Sequence, residues 1–198
     1  MYKKITYHLG NLLIILSLSG FSYTLYPITR IYLFPPTINP IQTQRGIFLT
    51  IPKIHAQAPI IENVNPWNEA EYSQALKKGI AHAKGTALPG EKGLPAGQTG
   101  TIFLFAHSSG SPWEITWHNT IFLRLVELQK GDNIEITKNG QKYLFKVREK
   151  KEVWPSEVNY LLETKKNELI LQTCIPIGTS LKRLLIFADP MPLPVVKN

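Results

Sequence analysis

Along the chain, the pattern of apolar and polar positions opens with a long uncharged run. From Ile5 to Tyr26 there is no Asp, Glu, Lys or Arg, and the centre reads LLIILSLSGF. About 20 such residues are what a helix needs to cross the hydrocarbon layer of a bilayer. Lys3 and Lys4 precede the run, on the side where basic residues hold a terminus in the cytoplasm. The pattern therefore predicts a cytoplasmic N-terminus over 1–8, a transmembrane anchor over 9–26 and an extracytoplasmic remainder. A cleaved signal peptide is the rival reading, but no A-x-A-like site follows and SLSGFSY is a poor substitute. Pro27, Pro35, Pro36 and Pro40 punctuate the next stretch, so 27–45 is expected to be a stiff, extended spacer.

Past residue 45 the pattern changes to short apolar runs cut by breakers, the signature of strands. GIFLTIP (Gly46 to Pro52) and APIIENV (Ala58 to Val64) are the first two. WNEAEYSQALKKG follows with a helix start. Asn68 takes the cap, Glu71 stands three later as in a capping box, Trp67 and Tyr72 are placed to form a hydrophobic staple, and Gly79 closes the element. GIAHAKGTALPGE reads as a Gly-rich loop. TGTIFLFAH (Thr99 to His107) is too short for a typical helix and rich in β-formers, so it predicts a buried strand. WHNTIFLRLVELQKGD carries helical spacing at Ile121, Leu125 and Leu128 and ends at Gly131. In DNIEITKNGQKYLFKVREKKEV, Asn139-Gly140 between two strand patterns marks a two-residue hairpin turn. A short helix is expected from near Ser156, and ELILQTC and KRLLIFA give two last apolar strands. The sum is a mainly β fold: a small barrel or sandwich with a few short helices, over residues 46–190, with 191–198 as a tail.

Composition narrows the picture. The stretch beyond the spacer has the size of one domain. Cys174 is the single cysteine of 198 residues, so no intramolecular disulfide is available and an extracytoplasmic thiol stays free. All 14 acidic residues and 19 of the 22 basic ones lie beyond residue 41, a moderately basic balance that suits anionic surfaces and equally suits simple solubility. No basic block interleaved with aromatics indicates nucleic acid. No His or Cys pair has metal-ligand spacing, and no cofactor is expected. LPAGQTG at Leu94 is followed by no apolar tail and basic end, and is taken as accidental.

The chemistry concentrates at strand ends. One apolar run ends at His107 and another at Cys174, and Arg183 lies on the run after that. A lone cysteine is commonly a small buried hydrophobe, a histidine after a strand an ordinary loop residue, and an arginine on a strand a surface charge with a packed stem.

Together, these residues resemble the sortase family of membrane-anchored cysteine transpeptidases. The resemblance runs from IFLTIPKIHAQAPI through GIAHAKGTALPGE, GTIFLFAHSS and FLRLVELQKGDNIEI to LILQTCIPIGTSLKRLLIFA. Its strongest block is Leu171-Gln172-Thr173-Cys174 at a strand end with Arg183 on the next strand. His107 matches the family's histidine after an apolar strand, with Ala106 where glycine is usual, and Ile170 stands where threonine is common. His55 falls where no histidine is expected. The resemblance implies a sortase-like closed barrel of about eight strands behind an N-terminal transmembrane helix. It assigns Cys174 as nucleophile, His107 as general acid and base, and Arg183 as donor to the substrate carbonyl or its oxyanion. The acyl donor would be a secreted protein with a C-terminal LPxTG-like sorting signal. The acceptor would be an amine of a peptidoglycan precursor or of another protein's lysine. His82, in a block where the family often has histidine, is weighed as the alternative catalytic imidazole and read as structural or groove-lining. His8 and His118 have no catalytic pattern. Two other classes remain: a membrane-tethered cysteine hydrolase in which water resolves the thioester, and a noncatalytic wall-binding β-domain with Cys174 as core.

Overall fold

In the computed structural model, residues 2–38, 45–90, 100–108, 120–157 and 167–192 are described. The chain divides at Pro36 into two compact units, an N-terminal helix and a β-domain.

The helix, α1 (Tyr2–Leu33), contains a 21-residue stretch, Thr6–Tyr26, that is long and apolar enough to cross a membrane. It runs on through Pro27, where an extended spacer was expected. Proline removes one N–H from a helix interior, and hydroxyls in apolar helices can re-satisfy carbonyls that backbone rearrangement frees. Thr29 Oγ1 donates to the carbonyls of Leu25 and Tyr26 at 3.2 and 3.0 Å, and Thr24 Oγ1 donates to Gly20 at 2.8 Å. The helix stops at Leu33 because Pro35 disfavours the helical region for Phe34.

The β-domain is a closed barrel of eight strands: β1 (Ile47–Ile51), β2 (Ala56–Val64), β3 (Ile80–Ala83), β4 (Ile102–Phe105), β5 (Asn133–Lys138), β6 (Gln141–Val153), β7 (Leu169–Ile175) and β8 (Lys182–Pro190). Around the barrel they run β1-β2-β3-β4-β7-β8-β6-β5 and back to β1. β2 with β3 and β4 with β7 are parallel pairs, and all other pairs are antiparallel. Closure leaves the sheet without open edges. The period-2 alternation sends one set of side chains inward: Leu49, Ile60, Ile80, Leu104, Leu171, Ile186 and Ile136 meet in the core.

The hairpin is the element most directly written in the sequence. Asn139 and Gly140 take φ of 50° and 83°, the left-handed values that a two-residue turn requires. The helix expected between Asn68 and Gly79 is α2 (Glu69–Leu76), capped by Asn68 Oδ1, which accepts from Glu71 N–H at 3.3 Å. The reciprocal half of the capping box is absent: the Glu71 carboxylate accepts from Asn65 N–H at 2.8 Å instead. The staple also differs, since Trp67 is 63% exposed and the Tyr72 ring stands edge-on against Phe105 of β4 at 6.2 Å. Burial of an aromatic on the barrel outweighs a local contact with an exposed one. At Gly79 the chain passes so close to β2 that a Cβ would meet the Pro59 carbonyl oxygen at 2.2 Å.

Two further expectations are corrected. The described part of the stretch read as a helix around Ile121–Leu128 is a series of turns with one 3₁₀ turn, Leu125–Glu127. Ile121, Phe122, Leu123, Leu125 and Leu128 are all buried, so this segment turns apolar groups inward in succession and has no solvent-facing helical stripe. The Gly-rich block around His82 holds a strand, β3, with all four residues buried. Its two alanines and histidine hide it from β-propensity, and its place beside β2 and β4 decides its conformation. The short helix expected from near Ser156 falls mostly outside the described residues.

Candidate active site

The site is built on three neighbouring strands. β7 lies between β4 and β8, and its C-terminal end carries Cys174. Antiparallel pairing sets Cys174 directly opposite Arg183 of β8. On the other flank the parallel ladder pairs Phe105 with Gln172, and Ala106 N–H extends it by donating to the Gln172 carbonyl at 3.2 Å. Thr173 Oγ1 then donates to the Ala106 carbonyl at 3.0 Å, a buried bond that ties the two chain segments at the level of the thiol. Continuing this register brings His107 abreast of Cys174. The three residues singled out in the sequence thus form one transverse row, His107–Cys174–Arg183, across the barrel rim. Ala106, in place of the usual glycine, does not adopt positive φ, so the alanine is unstrained there.

Alternation explains why the row is accessible. Thr173, Leu171 and Leu169 point into the core, which leaves Cys174 and Gln172 on the outward side. Cys174 is half-buried. Burial pushes its thiol up from the ordinary value, and the Arg183 guanidinium opposes this by favouring the thiolate. Arg183 Nη1 donates to the carbonyls of Ser180 and Lys182 at 3.0 and 3.4 Å, which anchors the guanidinium to the turn between β7 and β8. Among the described residues its other donors make no hydrogen bond.

Beside the thiol lies a cavity of about 400 Å³. Phe122, Leu123 and Val126 of the turn segment form one wall, and Ile175, Pro176, Ile177 and Leu181 the other. Val126, Ile177 and Leu181 are exposed apolar side chains, which a surface retains at a contact site. Its charged members, Glu152 and Lys182, pair with each other at 3.1 Å. This wall was missed in the sequence because its residues come from three separated segments and each alone is an ordinary apolar position.

His82 belongs elsewhere. It is fully buried in β3, where its Nδ1 accepts from Asn63 N–H at 3.3 Å and its Nε2 lies 3.0 Å from the Ala87 carbonyl. An accepting Nδ1 and a carbonyl partner at Nε2 together assign the neutral Nε2–H tautomer. Asn63, at φ 58°, sits in the irregularity between β2 and β3, so the imidazole stitches a bulge to the following turn. His55 is an exposed left-handed residue ending a 3₁₀ turn. Among the described residues no group of His, Cys, Asp and Glu is arranged to hold a metal ion.

Residues 49–191 match the Sortase domain family over most of the chain. The chain belongs to the sortase family. It is 29% identical over 155 residues to Sortase D of Bacillus subtilis (strain 168), a match that covers 76% of this chain and 66% of that protein. Among solved structures, sortase C-1 from Actinomyces oris superposes with a TM-score of 0.60 at 26% identity, covering 83% of this chain and 82% of that one. Sortase A from Corynebacterium diphtheriae gives 0.58 at 25% identity, covering 78% and 64%. The sortase chain described here thus spans just under two thirds of the length of some relatives that it matches. Its family and its closed eight-stranded barrel support a sortase-type enzyme, and sortases as a family are transpeptidases.

Proposed function

We propose that this sortase is a cysteine transpeptidase that cleaves a C-terminal LPxTG-like sorting signal on secreted proteins and passes the acyl group to an amine. In this reading Cys174 Sγ attacks the scissile carbonyl carbon, a C–S bond forms, and the C–N bond breaks. His107 gives a proton to the departing amine, and Arg183 donates hydrogen bonds to the oxyanion. An acceptor amine, from a peptidoglycan precursor or a protein lysine, then displaces the thiolate and returns the site to its starting state. With its pKa raised, Cys174 rests as a thiol, so the reaction draws on the small fraction in which the proton has moved to the imidazole.

One observation carries the reading: the single thiol stands between the positions of an imidazole and a guanidinium, at the mouth of an apolar cavity. An extended apolar segment suits such a wall, and a guanidinium suits a developing oxyanion because its charge is permanent and its donors are fixed. A noncatalytic domain with Cys174 sealed in its core fits less well, since the thiol lines the cavity. α1 supplies the membrane anchor, with the barrel extracytoplasmic.

Mass spectrometry of the purified protein with a Leu-Pro-x-Thr-Gly peptide library tests the reading. A thioacyl adduct on Cys174 is expected, and Cys174→Ala should lose both adduct and cleavage while keeping its melting temperature. Cleavage by the Cys174→Ala protein would overturn the nucleophile assignment. Addition of an amine should divert the product from acid to amide, and failure of that diversion would instead favour the tethered hydrolase.

A further inference from the structure

The cavity flanks Cys174 on one side only. On the other, the outward face of β4 and β7 descends from the row through Phe105 and Gln172, and one side chain of α2 reaches Phe105. The contact is Tyr72, whose ring meets Phe105 edge-on at 80°. Phe105 precedes His107 by two residues, as Gln172 precedes Cys174, so the tyrosine stands one side-chain level below the row. Neither Tyr72 nor Phe105 lines the apolar cavity.

We propose that Tyr72 and Glu69 form the acceptor side of the site, where they receive a primary amine and position it for attack on the thioacyl carbon. This rests on the transpeptidase reading.

Charge argues for the assignment. A primary amine arrives largely as an ammonium at neutral pH, and the row it must approach already carries the permanent cation of Arg183. An acid is needed nearby to offset that repulsion. Glu127, Asp132, Glu135, Glu149, Glu152 and Glu168 each pair with a Lys or Arg, and Glu71 is engaged as a backbone acceptor. Glu62 on β2 and Glu69, on the first turn of α2 and one turn before Tyr72, pair with no Lys or Arg among the described residues, and of the two it is Glu69 that acts on the Tyr72 phenol. The Tyr72 phenol is shifted upward, first by burial and then by Glu69, while Arg183 pulls it down and Cys174 pushes it up. The hydroxyl is therefore within electrostatic reach of the carboxylate, the guanidinium and the thiol at once. The ammonium gives one proton to solvent, and in the neutral amine that results the phenol oxygen accepts one N–H and leaves the nitrogen lone pair for carbon. The second amine proton goes to His107 as the C–N bond forms and the C–S bond breaks.

The division of labour is testable because the acyl donor fills the cavity and the acceptor does not. The probes are the library peptide that acylates Cys174 fastest and glycinamide as amine. Tyr72→Phe keeps the ring on Phe105 and removes only the hydroxyl, and Glu69→Gln removes only the charge. Each is expected to raise KM for glycinamide about tenfold, the size of one lost hydrogen bond or charge contact. The ratio of amide to hydrolysed product should fall with it. The Glu69→Gln effect should shrink in 1 M salt, which screens an exposed charge, whereas the Tyr72→Phe effect should persist. Variants in which amide and acid fall together at an unchanged ratio, or in which KM for glycinamide does not move, overturn the inference and leave the reading of Cys174 intact. A wild-type protein that forms no thioacyl adduct removes both.

Discussion

Cys174 is raised by burial and lowered by Arg183, and the first effect prevails. The thiol is thus protonated through neutral pH, and its thiolate fraction grows only as pH climbs past the ordinary thiol range. Alkylation by iodoacetamide should be slower at pH 7 than that of a free cysteine and rise about tenfold per pH unit into the alkaline range. Arg183→Gln removes the opposing charge and should push the profile further up in pH. A rate that levels off below pH 8 would contradict this assignment. Arg183→Lys separates charge from geometry, because a lysine keeps the cation and loses the planar fork. If the guanidinium serves the oxyanion, single-turnover acylation should fall by ~10²–10³ with the melting temperature nearly unchanged. Normal acylation by the folded variant removes Arg183 from the site.

Elements differ in how legibly the sequence announces them. β7 and β8 are plain, because LILQTC and RLLIFA are continuous apolar runs and the strand end leaves Cys174 opposite Arg183. The β5–β6 hairpin is plain because Asn139-Gly140 tolerates positive φ. β3 is not, since Ile80 alone in IAHA is a strand former and its neighbours impose the rest. The cavity wall is hidden for a related reason: Val126, Ile177 and Leu181 become adjacent only when the barrel closes. His107, Cys174 and Arg183 are ordinary one by one and legible as a set through the resemblance, and the ladder register supplies their row. His82 shows the cost of a hidden element, because a histidine in a loop could be catalytic, whereas in β3 it is a buried clamp. His82→Leu should leave Asn63 N–H and the Ala87 carbonyl unsatisfied, a loss of about 2–4 kcal/mol. Urea unfolding measures it, and an unchanged midpoint would refute the clamp.

For the whole molecule, the charge around α1 gives an orientation. Lys3 and Lys4 precede the apolar stretch and Arg30 follows it, so the barrel should lie outside. Protease added to intact, wall-stripped cells should cut residues beyond Pro40, and their protection would reverse the topology. The strand order carries a further consequence. The row is completed by β4 on one flank and by β8, the last strand of the barrel, on the other. Until residues 182–190 have been delivered and folded, Cys174 has no guanidinium opposite it, and β7 presents an open edge. A chain threaded outward behind a cytoplasmic N-terminus therefore delivers Cys174 before Arg183, and the thiol meets its guanidinium only when the barrel closes.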